Sequence, residues 1–122
     1  MPEPITLVTV PQFERNLSHH LDTDKSFQIT LRNLDGVTLT NITGWAIQFV
    51  LHAYGDPNII YVTKTVGSGI TISNGPAGLL TVAVDDTDVT SIPIGNYWWR
   101  IERTDAGSEF VIGQGSYSIL AK

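Results

Sequence analysis

Three groups of side chains in this sequence have the types and spacing that do chemistry. Asp85, Asp86 and Asp88 stand around Thr87, and carboxylates this close can supply oxygen ligands to a hard cation such as calcium. No EF-hand spacing with a distant Glu follows. Asp and Thr ahead of a helical turn accept its free backbone N–H groups, so capping is the expected role. His19 and His20 are adjacent, with Asp22 and Asp24 close behind. Neighbours on a strand point to opposite faces and do not readily share an ion, so a solvated segment is expected; a site on a symmetry axis, with one His per chain, would escape that rule. Gly113-Gln114-Gly115-Ser116 lacks the pattern of a nucleophile elbow, and Gly67-Ser68-Gly69 opens a strand rather than a phosphate-binding helix. Nothing singles out a pair of carboxylates for glycoside hydrolysis. The expectation is a protein that is not an enzyme, with no catalytic residues, no cofactor and no metal.

The aromatic residues are more informative. In Ile94-Gly95-Asn96-Tyr97-Trp98-Trp99-Arg100-Ile101, period-two alternation sends Tyr97, Trp99 and Ile101 to one face and Trp98 and Arg100 to the other. The first set belongs to a core. Trp98, on the outer face, either lies under a loop or makes a contact. Trp, Tyr and Arg dominate interface hot spots, so Trp98, Arg100 and Tyr61 are the expected anchors of an interface, with Ile5 and Leu7 in the N-terminal segment.

Composition bounds what such an interface meets. The chain has 122 residues, enough for one domain spanning 1–122. Seven Lys and Arg against twelve Asp and Glu give a formal charge of -5. No basic excess is available to replace counterions on nucleic acid, which is not an expected partner. No apolar run approaches the roughly 20 residues of a membrane helix, and Met1-Pro2-Glu3-Pro4 has neither the basic start nor the apolar stretch of a signal peptide. A soluble, unprocessed protein is expected, and without a leader the acceptor patterns Asn16-Leu17-Ser18 and Asn41-Ile42-Thr43 carry no weight. The absence of cysteine removes any disulfide framework.

The elements that position these residues read as strands. Pro4 to Pro11, bracketed by prolines, is an extended arm or an edge strand over residues 1–12. Phe27, Ile29 and Leu31 alternate with polar residues, and Trp45, Ile47, Phe49 and Leu51 share a face of a central strand. Asp35-Gly36 predicts a tight turn, and Gly55-Asp56-Pro57-Asn58 a break. Beyond it, Ile60 and Val62 are expected on one face, Ile59 and Tyr61 on the other. Short strands follow about every ten residues, interrupted by one helical turn from Asp86 to Ile92 that Pro93 ends. This spacing predicts an all-β fold, an immunoglobulin-like antiparallel β-sandwich of seven to nine short strands. Tyr97, placed after Pro93 and Gly95, is expected to form a tyrosine corner.

Five segments occur in a telling order: Leu39-Thr40-Asn41-Ile42-Thr43-Gly44-Trp45, Lys64-Thr65-Val66-Gly67-Ser68-Gly69-Ile70-Thr71-Ile72, Gly78-Leu79-Leu80-Thr81-Val82, Asp86-Thr87-Asp88-Val89-Thr90-Ser91-Ile92-Pro93-Ile94-Gly95-Asn96-Tyr97 and Arg103-Thr104-Asp105. Over Phe27 to Leu120 the chain thereby resembles the immunoglobulin-like domain of phage and prophage tail proteins, including the N-terminal domain of baseplate upper proteins. The resemblance implies a structural and assembly protein of the virion, put together in the host cytoplasm. Its expected partners are other phage structural proteins and copies of itself, in a tail, baseplate, neck or decoration component. Baseplate proteins of that type continue into a linker and a distal domain, whereas this sequence stops at Lys122, so a host-binding part is expected on another polypeptide. The alternative from a different class is a carbohydrate-binding β-sandwich module that presents its three Trp and four Tyr to a host-surface glycan.

Overall fold

The computed structural model describes residues 3–8, 13–14, 16–32 and 40–121, with the backbone alone for 3–8, 13–14, 32 and 110. Its strands are β1 (Glu3–Val8), β2 (Phe13–Glu14), β3 (Leu17–His20), β4 (Lys25–Arg32), β5 (Ile47–Ala53), β6 (Asp56–Val66), β7 (Gly69–Asn74), β8 (Leu79–Val84), β9 (Gly95–Arg103) and β10 (Phe110–Leu120). One helical turn, α1 (Asp86–Val89), sits between β8 and β9. The fold is all-β. The turn expected at Asp35-Gly36 lies outside the described residues.

The ladders run in one unbroken order, β1-β4-β8-β7-β6-β5-β9-β10-β2, with β3 also on β10. Two separate sheets were expected. Continuity comes from β6, which pairs antiparallel with β5 and at Thr65 and Val66 hands over to Gly69 and Ile70 of β7. Ten described strands exceed the seven to nine expected, because Phe13–Glu14 and Leu17–His20 are too short to show a period. Nor are all strands short, since β6 and β10 each have 11 residues.

The purely antiparallel expectation also fails at the edges. β1 runs parallel to β4, with Ile5 opposite Ile29 and Leu7 opposite Leu31. β2 and β3 run parallel to β10, with Leu17 opposite Tyr117. The N-terminal segment thus lies as an edge on strands remote in sequence, a geometry no hairpin can make.

Alternation explains the core. Phe27, Ile29 and Leu31 of β4, Phe49 and Leu51 of β5, Leu80 and Val82 of β8, and Tyr97, Trp99 and Ile101 of β9 are all buried. Phe27 meets Phe49 and Tyr117 at ring-centroid distances of 6.1 Å each, so the two halves of the strand path face one another. Gly78 closes the join beside β4: at φ +69 an added Cβ would lie 2.6 Å from the carbonyl oxygens of Leu31 and Thr40. Only glycine fits there.

Candidate functional site

Strand β9 divides the molecule into a finished face and an unfinished one. On the inner face the Tyr97 hydroxyl donates to the Pro93 carbonyl at 2.6 Å, the bond expected of a tyrosine corner. Burial, and secondarily the neighbouring Tyr61, push that hydroxyl above its ordinary range and keep it protonated as a donor.

Cross-strand register builds the outer face. His52 lies opposite Trp98 and Val50 opposite Arg100 on one side, while Gln114 pairs with Arg100 on the other. His52, Trp98, Arg100 and Gln114, with Tyr54 and Gly55 from the β5–β6 turn and Pro57 at the start of β6, line a groove of about 410 Å³. Gly55, at φ +82, makes the two-residue turn that brings Tyr54 round. Tyr54 and Trp98 meet edge to face, 5.7 Å between centroids. The Trp98 Nε1–H makes a long 3.4 Å hydrogen bond to Oε1 of Gln114.

The polar groups of the groove are incompletely used. The Arg100 Nε is buried without a hydrogen-bond partner, although Glu102 Oε2 lies 3.3 Å away as an ion pair along the strand. His52 is 5% exposed, and its Nδ1–H must donate to the Ala53 carbonyl at 2.8 Å, since a carbonyl only accepts. In the neutral ring Nε2 is then an acceptor facing no described partner.

The expected interface trio is split. Trp98 and Arg100 share the groove, but Tyr61 packs edge to face on Tyr97, 5.1 Å away. A register shift between Leu51 and His52, whose partners are Val62 and Ile60, inserts an extra residue at Tyr61. That bulge, with a second register shift between His52 and Ala53, overturns the expected faces: Val62 is buried, while Ile59, Ile60 and Tyr61 in succession are 47%, 51% and 42% exposed. From Asp56 to Lys64 the other edge of β6 has no strand partner among the described residues. Ile5 and Leu7 are placed on β1 by their backbone, opposite buried residues of β4.

The other chemical candidates are accounted for by local structure. The Asp85 N–H donates to Oδ2 of Asp88 and the Asp86 N–H to Oδ1 of Asp24, each at 2.8 Å, so the acidic cluster holds backbone donors. Lys64 pairs with Asp88 at 2.8 Å. His19 does not lie in a solvated segment: β3 turns it inward, 1% exposed. The Tyr117 hydroxyl lies 2.6 Å from its Nδ1, and its Nε2–H donates to the Thr23 carbonyl at 2.6 Å. A polar basin of about 480 Å³ beside it is lined by His20, Asp24, Lys25 and Asp85. His52 and Gln114 were not singled out in the sequence, because their site exists only where β5, β9 and β10 lie side by side.

The fold has a counterpart among solved structures. It is similar to the N-terminal domain of phage TP901-1 ORF48, with a TM-score of 0.57, 13% sequence identity and coverage of 98% of each chain. At that identity the likeness shows the fold, and it agrees in kind with the resemblance drawn from the sequence motifs. No protein-family model matches the chain, and no curated protein matches it.

Proposed function

We propose that this chain is a non-enzymatic structural and assembly protein of a bacteriophage particle, working by docking on other phage structural proteins and on copies of itself. The observation that carries the reading is the fold likeness to a phage protein's N-terminal domain along 98% of both chains. Within that likeness we read the bent strand path as an immunoglobulin-like sandwich. β1, β4, β8 and β7 form one layer and β6, β5, β9 and β10 the other, with Phe27 packed against Phe49 and Tyr117 between them.

The docking surface is the open side of β6. Its exposed Ile59, Ile60 and Tyr61 stand beside a strand edge whose backbone groups can pair with another chain. Pro57 near its start removes one donor, a feature compatible with an edge strand. Light scattering of the wild-type chain should show an oligomer, or mass spectrometry should find the chain in purified phage particles. Ile60→Lys should abolish either association while leaving the thermal melting curve in place. A wild-type chain that neither oligomerises nor enters particles overturns the reading, as does association that Ile60→Lys leaves intact.

A further inference from the structure

We propose that the groove over Trp98 binds a neutral saccharide, held against Trp98 and Tyr54 and hydrogen-bonded by Arg100, Gln114 and His52. This site shares only Pro57 with the β6 edge, uses none of Ile59, Ile60 and Tyr61, and does not depend on the virion reading. Its volume, about 410 Å³, is within the range of small-ligand pockets, roughly 300–1,000 Å³. Two walls are aromatic, and Tyr54 is 64% exposed, so an apolar C–H face can lie on it without displacing protein.

The polar groups narrow the ligand class. Arg100 Nε is a buried donor without a hydrogen bond. The amide NH₂ of Gln114 is a donor left over once its oxygen accepts from Trp98. His52, almost wholly buried, has its Nδ1–H committed to the Ala53 carbonyl, which in the neutral ring leaves Nε2 as an acceptor. Donors and an acceptor side by side suit hydroxyl groups, which both give and receive hydrogen bonds. A polyproline peptide offers carbonyl acceptors alone and would leave the His52 nitrogen unmatched. Charge narrows it further: Glu102 already stands 3.3 Å from Arg100, so the groove holds no uncompensated cation that calls for a carboxylate sugar.

The test titrates the full chain, by tryptophan fluorescence, with neutral oligosaccharides of glucose, galactose, rhamnose and N-acetylglucosamine, a sialylated trisaccharide and a decaproline peptide. The expected result is saturable quenching by at least one neutral oligosaccharide. Tyr54→Ala should weaken it by about tenfold, the size of losing one aromatic wall, with the melting temperature unchanged. Calorimetric titration of Trp98→Phe should show the same ligand bound more weakly. The proposal is overturned if no neutral sugar binds, if only the sialylated sugar or the peptide binds, or if both variants bind as wild type does.

Discussion

Two tryptophan–arginine pairs in this molecule end differently. Around Trp45, the Arg103 guanidinium stacks on the indole at 4.1 Å and its Nε–H donates to Asp105 Oδ2 at 2.8 Å. The same oxygen accepts the Ala46 N–H at 2.9 Å, and the Thr104 N–H donates to the Ala46 carbonyl at 2.8 Å. This assembly is a clamp, closed by the chain's own groups, that ties the entry to β5 to the exit from β9. Around Trp98, Arg100 has an acidic neighbour at 3.3 Å but no hydrogen bond at its buried Nε, and the groove above it stays open. A completed cluster serves the fold. An incomplete one beside an aromatic pair is where a ligand has something to add.

The same substitution made in both places breaks the comparison if it is wrong. Arg103→Met should cost about 1–2 kcal/mol in urea unfolding, because it removes both the cation–π contact and the charge-assisted bond. A smaller effect comes from pH. Arg103 first, and the Ala46 N–H second, hold the Asp105 carboxyl below its ordinary range. The folded chain therefore binds this proton less readily than the unfolded one, whose carboxyl titrates at about 4. The stabilisation is present above that pH and is lost as pH falls through the lower folded value. Unfolding measured from pH 7 to pH 3 should show wild type losing stability more steeply than Asp105→Asn. Smallest of all should be Arg100→Met, within about 0.5 kcal/mol of wild type in either direction, since it deletes a buried N–H that has no hydrogen bond to lose. An Arg100 effect as large as that of Arg103 would mean that the groove is part of the scaffold.

How much of this was legible in the sequence depends on how far each residue's environment lies from its neighbours. Strict alternation was enough for β4 and β9 and for the inner face of β5, and Tyr97, Trp99 and Ile101 are inward as their period requires. It failed where partners, not period, decide. His19 is buried because β10 lies alongside β3, a pairing across most of the chain. Val50 and His52 occupy the polar phase of β5 yet are buried, on the face whose cross-strand neighbours are the large side chains Arg100 and Trp98. Two register shifts on either side of His52 place Tyr61 against Tyr97 and leave two consecutive isoleucines exposed. Of the anchors read from the sequence, Trp98 and Arg100 came together for that reason and Tyr61 did not. The groove needed three strands to exist, so only its β9 members carried a signal.

The parallel seating of β3 on β10 has a consequence in time. Residues 17–20 leave the ribosome early, but their ladder partners Tyr117 to Leu120 come about a hundred positions later. Until β10 arrives, β3 lacks its ladder partner, the His19 Nδ1 lacks the Tyr117 hydroxyl, and β9 lacks one of its two neighbours. Nascent chains stalled before Phe110 should therefore hold unpaired edges and remain open to protease and to wrong pairing. Strands β3 and β10 are then captured together, in a step that waits for β10.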